Sequence, residues 1–179
     1  MDKQKVAILV AEDEANDQTF IRMAFEEAGV TGPVHIVNNG VEAIAYIMGE
    51  GKYADRGQYP YPTFILTDLK MPHADGFAVL KHLQSNPQWT IIPTVVLSAS
   101  NDSDDIKKAY QLGARAFHRK PNTYSGLCAQ LKLLYDYWLT CEVPEVDVTG
   151  RQLPTESKGK LGERFPQPSP GGQQSRAES

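Results

Sequence analysis

Four short, mostly apolar runs of this chain each lead into a side chain able to do chemistry. Val6–Ala11 leads into Glu12 and Asp13, and Thr63–Thr67 into Asp68. Thr94–Leu97 leads into Ser98, Ala99 and Ser100, and Ala114–His118 ends two residues before Lys120-Pro121. Three carboxylates, a hydroxyl and an ammonium define a particular chemistry once they are brought together. Clustered carboxylates repel and drift towards protonation unless a cation offsets them. Hard oxygen donors select Mg²⁺, Mn²⁺ or Ca²⁺. Mg²⁺ in particular uses one or two protein carboxylates and shares its site with a phosphate. A carboxylate is also a nucleophile towards phosphorus, giving an aspartyl phosphate. That transfer needs positioning and charge neutralisation more than further covalent machinery. A lysine and a hydroxyl on the far side complete a clamp for three phosphoryl oxygens. Taken singly, each residue has a plainer explanation. An acidic pair after a strand suits a helix N-terminus, an Asp there caps a turn, a Ser satisfies a core hydrogen bond, and a lysine before proline is a solvated loop charge. The whole set, at the ends of the right runs in the right order, argues for a site.

The elements that must position this set can be read from periodicity. Val6–Ala11 is continuously apolar, the mark of a strand buried on both faces of a parallel sheet. Phe20, Ala24 and Ala28 recur at every fourth position in a helix over Ala15–Ala28, stopped by Gly29. Val34–Val37 is a second strand, and Gly40–Met48 a second helix with Val41, Ile44, Ile47 and Met48 on one face. A Gly- and Pro-bearing loop spans Gly49–Pro62 before the third strand, Thr63–Thr67. Phe77, Leu80 and Leu83 mark a third helix that Asn86-Pro87 ends. Pro93 opens the fourth strand, Asp102 or Ser103 caps a fourth helix running to Leu112, and Ala114–His118 is the fifth strand. Leu127, Leu131, Leu134 and Trp138 lie along a long last helix. Strand and helix alternate five times, which predicts an α/β fold, a parallel sheet with helices on both faces. Ligands of such sheets sit beyond the carboxyl ends of the strands, where the chemical set is found.

Composition narrows the function further. The 179 residues carry 18 Lys and Arg against 22 Asp and Glu, a net charge of −4. That excludes a generally basic nucleic-acid binder and does not suggest a membrane-surface protein. There is no apolar run of membrane-spanning length, and the first apolar run is too short and ends too acidic for a signal peptide. Cys128 and Cys141, on one helix, would stand ~20 Å apart, too far to bridge. A reducing cytoplasm is the expected compartment. From Pro144 onward Pro, Gly, Ser and Gln dominate. The expectation is one domain over 1–143 and a mostly disordered tail over 144–179, with no effector domain.

The matching residues are Glu12-Asp13, Asp68 within Leu66-Thr67-Asp68-Leu69-Lys70-Met71-Pro72, Gly76, Ser98-Ala99 and Lys120-Pro121. In this order and spacing the chain resembles the receiver domain of two-component response regulators over roughly Lys5 to Leu139. Through Gly51–Pro62, Ile92–Ser98 and Asp136–Thr140 it looks most like the stand-alone regulators paired with bacterial phytochromes. The resemblance implies a flavodoxin-like, doubly wound (βα)5 fold with strand order 2-1-3-4-5. It implies that a sensor histidine kinase, of phytochrome type on the closer likeness, phosphorylates Asp68. It also implies Mg²⁺ held directly by Asp13 and Asp68, through water by Glu12, and by the backbone carbonyl of Lys70. Ser98 and the Ala99 N–H would grip a phosphoryl oxygen and Lys120 would pair with the product's charge. An inward pull on Ser98 would let Phe117 swing in, reshaping the surface of the fourth helix, fifth strand and last helix. Such a chain is a phosphoacceptor rather than an enzyme, assisting its own phosphorylation and its slow dephosphorylation, since Lys70 and Ser100 flank the path of the hydrolytic water.

Three departures from the family pattern stand out: Glu12 where Asp is most familiar, Ser98 for the more usual Thr, and a Phe rather than a Tyr at 117. Rival functions fit less well. An aspartyl-phosphate phosphatase needs a second Asp where Lys70 stands, and a nucleotide or flavin carrier would not place Glu12-Asp13-Glu14 against phosphate. A pseudo-receiver that binds partners without phosphate is the remaining alternative. Tyr135, Tyr137 and Trp138 at the end of the last helix cannot all face one way. A homodimer through the face shared by Tyr135 and Trp138 is the expected assembly.

Overall fold

The structure, a computed structural model, describes residues 6–142. Five strands, β1 (Ile8–Ala11), β2 (Val34–Val37), β3 (Phe64–Thr67), β4 (Thr94–Ser98) and β5 (Ala116–Arg119), form one parallel sheet in the order β2-β1-β3-β4-β5. Between and after them lie α1 (Ala15–Glu27), α2 (Gly40–Met48), α3 (Gly76–Gln84), α4 (Ser103–Gln111) and α5 (Tyr124–Thr140). This is the parallel α/β sheet expected from the alternation of elements, in the flavodoxin-like order that the family resemblance implies.

The apolar runs are continuous because successive side chains serve two different cores. Ile8 and Val10 of β1, with Phe64 and Leu66 of β3, pack against Ile21, Ala24 and Phe25 of α1 and Leu131, Leu134 and Tyr135 of α5. Leu9 and Ala11, with Ile65, face the opposite way onto Ala43 and Ile47 of α2 and Val79 and Leu83 of α3. A third, smaller cluster joins Leu80 of α3 and Ala109 of α4 to Val96. Helix starts are capped by side chains of the expected types. Asn39, Asp75, Asp102 and Thr123 each accept from a backbone N–H two or three residues on. The Thr123 cap starts α5 at Tyr124, nearly a turn before the first leucine of its apolar face.

Register places the site. Ala11 lies beside Val37 and Thr67, Thr67 beside Val96, and Ser98 beside Arg119. The carboxyl ends of β1, β3, β4 and β5 are therefore nearly flush, and the residues after them gather at one edge.

Two regions differ from the sequence expectation. Within the segment 49–62, Gly51–Tyr53 forms a 3-10 turn, and Tyr53 and Tyr59 pack around Tyr46 and His35. Arg56 fastens this segment by donating to the carbonyls of Tyr46 (2.8 Å), Ile47 (2.7 Å) and Tyr59. A cation there satisfies carbonyls that α2 leaves open at its C-terminal end. On α5, the face shared by Tyr135 and Trp138 turns inward: Tyr135 is buried and Trp138 stacks on Phe64 at 6.0 Å. The aromatic left outside is Tyr137, 57% exposed. The dimer face expected from the sequence is thus occupied by the protein's own core. Among the described residues no helix is long and apolar enough to cross a membrane, and Cys128 and Cys141 are both free. The expected tail over 144–179 lies outside the described residues.

Two measurements test this packing. In denaturant unfolding, Trp138→Ala should lower stability by about 3 kcal/mol, whereas Tyr137→Ala should stay within about 0.5 kcal/mol of wild type. Equal losses would contradict the inward placement of Trp138. Burial, helped by the charge of Arg22, holds the His35 imidazole below its usual 6.5. The fold therefore favours neutral His35, and its contribution to stability is complete above 6.5 and lost as pH falls from 6.5 through the lowered value. His35→Phe should flatten this acid-side loss in unfolding measured from pH 7 to 5, and an unchanged slope would count against it.

Candidate functional site

Asp68 follows β3 directly, and its own N–H donates to the Ala11 carbonyl at 2.9 Å. The side chain is 8% exposed and fully engaged. Its Oδ1 accepts from the N–H of Leu69 (2.6 Å), the N–H of Lys70 (3.3 Å) and the hydroxyl of Ser98 (2.7 Å). Its Oδ2 accepts from Nζ of Lys120 at 2.8 Å. Ser98 is buried at the end of β4, and the Lys120 N–H bonds to the Ser98 carbonyl, so strand pairing carries both into place.

Glu12, 1% exposed, is the most deeply buried carboxylate of the group. Its Oε2 accepts from Lys120 at 2.6 Å and its Oε1 from the Glu14 N–H at 3.2 Å. Burial pushes its carboxyl up to about 7, and the neighbouring Asp68 charge adds to this, while Lys120 pulls the other way. For Lys120, burial works against the charge. Hydrogen bonds to Asp17, Asp68 and Glu12 outweigh that and hold the ammonium above its ordinary range.

Glu12, Asp13 and Asp68 each offer a carboxylate oxygen, and the three lie within 4.8 Å of one another. With Asp17 the site gathers four carboxylates, three of which bind the single lysine. Such a set suits a hard divalent cation, since Lys120 alone leaves an excess of negative charge in a largely buried pocket.

The structure thus brings Glu12, Asp13, Asp68, Ser98 and Lys120 to one place. Ala99 is exposed just past β4, and Lys70 has an exposed side chain with its N–H aimed at Asp68. Phe117 is half-buried on β5 against the cluster of Leu69, Leu80, Val96 and Ala109, and its N–H donates to the Tyr110 hydroxyl of α4. Ser100 is buried, with its hydroxyl donated to Asp105 at 2.6 Å.

Two residues have roles that the sequence reading did not assign. Asp17, in the first turn of α1, binds Lys120 at 2.7 Å. Its signal was its place four residues after Asp13, but an acidic residue in a first helical turn also suits the helix dipole. Gly76, named above only among the matching residues, is a close approach. Its N–H bonds to the Leu69 carbonyl, and a Cβ there would collide with the backbone oxygen of Asp68.

With fold and site in view, the comparisons with known proteins agree. The chain belongs to the response regulator receiver domain family, whose model matches residues 8–132. Among curated proteins it is 29% identical over 132 residues to the response regulator Rcp1 of Synechocystis sp., covering 74% of this chain and 88% of that one. It is 30% identical, again over 132 residues, to a probable methanogenesis regulatory protein, FilR2, of Methanothrix harundinacea, covering 74% and 83%. Among solved structures, the phosphorylated cyanobacterial phytochrome response regulator RcpA is 35% identical with a TM-score of 0.73, covering 78% of this chain and 99% of that one. Rcp1 itself has been solved in a Mn²⁺-bound form, 28% identical with a TM-score of 0.71, covering 78% and 99%.

The close approach at Gly76 is testable. Gly76→Ala should cost about 1–3 kcal/mol in chemical unfolding through overpacking against the acceptor's own backbone. A neutral result would show that the turn has room to spare.

Proposed function

We propose that this chain is a single-domain response regulator whose Asp68 accepts a phosphoryl group from the phosphohistidine of a sensor histidine kinase. The observation that carries this reading is the Asp68 carboxylate, buried between Ser98 and Lys120 and beside Glu12 and Asp13. Family membership supports it, and the likeness to RcpA and Rcp1 favours a phytochrome-type kinase as the partner. Oδ2, which accepts only from Lys120, is the freer oxygen and the attacking one. It forms a bond to phosphorus as the phosphorus–nitrogen bond breaks, and the imidazole leaves with the electron pair.

Mg²⁺ is the cation this donor set suits; Asp13, Asp68 and the backbone carbonyl of Lys70 would hold it directly and Glu12 through water. When bound, it supplies neutralisation of the charge that phosphoryl oxygens and carboxylates would otherwise pool. The residues of the chain supply the rest. Leu69 and Lys70 N–H groups fix Oδ1, Lys120 meets the added negative charge, and Ser98 with the Ala99 N–H holds a phosphoryl oxygen. Drawing the Ser98 hydroxyl away from Asp68 makes room for Phe117 to move inward. Phe117 is tied to Tyr110, so the movement is read out on the face formed by α4, β5 and α5. Ser100 has already committed its hydroxyl to Asp105 and Lys70 guards the approach, an arrangement suited to slow loss of the phosphoryl group. The domain is taken as 1–143, acting through its own surface.

Incubation with Mg²⁺ and acetyl phosphate, followed by intact mass, tests the assignment. Wild type should gain one phosphoryl group and lose it slowly, and Asp68→Asn should gain none. A stoichiometric gain on Asp68→Asn would overturn the acceptor, and a wild type that never gains mass would favour the pseudo-receiver.

A further inference from the structure

Lys120 presents three N–H donors, and all three are taken: Glu12 at 2.6 Å, Asp17 at 2.7 Å and Asp68 at 2.8 Å. Two of these partners, Glu12 and Asp68, belong to the set that could hold a cation, and Asp17 does not. Asp17 also differs in setting. Its side chain is 39% exposed, at the rim, whereas Glu12 and Asp68 lie at the floor. The turn that carries Asp17 is fastened to the end of β1. The Gln18 amide donates to the Glu12 carbonyl at 2.6 Å and to Asn38 at 3.0 Å, and the Gln18 N–H bonds to the Glu14 carbonyl. The Asp17 carboxylate is therefore a fixed point on a rigid support. Asp17 and Lys120 both line a cavity of about 160 Å³, together with Phe20, Thr123 and Tyr124. A flexible lysine stem released from the rim has that space to enter.

We propose that Asp17 is a positioning residue for Lys120, holding the ammonium at the mouth of the pocket where a phosphoryl group on Asp68 would meet it. The inference rests on the phosphoacceptor reading of Asp68. Once Glu12 and Asp68 turn their oxygens to a cation, Asp17 is the partner that remains, keeping one donor fixed while the others turn to the incoming charge. The benefit is orientation, which is lost when a reacting group's partner is free to wander.

The test is the initial rate of Asp68 phosphorylation from acetyl phosphate at saturating Mg²⁺, read by intact mass, with Mg²⁺ affinity measured separately by calorimetry. Asp17→Asn should slow phosphorylation about tenfold while Mg²⁺ affinity stays within about twofold, because Asp17 lies outside the cation set. Asp17→Glu, which keeps the charge, should recover most of the rate. In a Lys120→Ala background Asp17→Asn should add nothing, because the lysine it positions is gone. An unchanged rate in Asp17→Asn overturns the proposal. So does a rate that falls only in step with Mg²⁺ affinity, or the same tenfold loss in the Lys120→Ala background. Failure of the acceptor reading itself looks different, since wild type would then take no phosphoryl group under the same conditions.

Discussion

Three carboxylates held by one lysine are the constraint on which the rest of this structure depends. Glu12 and Asp68 are removed from water almost completely, a placement that costs several kcal/mol per ion unless each charge is matched. Lys120 supplies the match by spending every donor it has. The pocket is therefore satisfied but still rich in negative charge, and this imbalance is what suits it to a hard divalent cation. Several other features follow from keeping that arrangement rigid. The strand ends are flush, Gly76 lets its turn close over the acceptor's backbone, and Leu69 and Lys70 N–H groups pin one carboxylate oxygen.

On the proposed reading, output requires a path from that pocket to the surface. Ser98 touches the acceptor at one end of β4, and Phe117 lies on the neighbouring strand, linked to α4 through the Tyr110 hydroxyl. The path is short and made of packed groups with hydrogen bonds at both ends, the kind of element that changes between discrete states rather than bending gradually. Phe117 has no hydroxyl of its own, so its hydrogen bond to α4 comes from its backbone N–H, while its ring packs against the cluster that includes Ala109.

Much of this was legible before any coordinates. β1, β3 and β4 are buried on both faces, so their sequences are unbroken apolar runs, and a polar residue ending such a run stands out. That is why Glu12, Asp13, Asp68 and Ser98 could be singled out from the sequence. Asp17 escaped because a carboxylate in a first helical turn has a sufficient local reason to be there. The three aromatics ending α5 misled for a different reason. Trp138 falls one turn after Leu134 on the apolar face of Leu127 and Leu131, so the face offered to a partner is the one that packs inward, with Trp138 stacked on Phe64. Arg56 left no trace in periodicity, because it acts by reaching back to the carbonyls of α2.

The join between Lys120 and Glu12 spans 108 residues of sequence, and this separation has a consequence for biogenesis. The chain emerges from the ribosome N-terminus first, so β1, α1 and the acceptor strand are available long before β5. Until β5 pairs with β4, Asp17, Glu12 and Asp68 face one another with no lysine between them. A nascent or truncated chain that lacks β5 thus holds these carboxylates without their counter-charge. The charges of the pocket are matched only with the last strand, so an incomplete copy of the protein lacks the finished site.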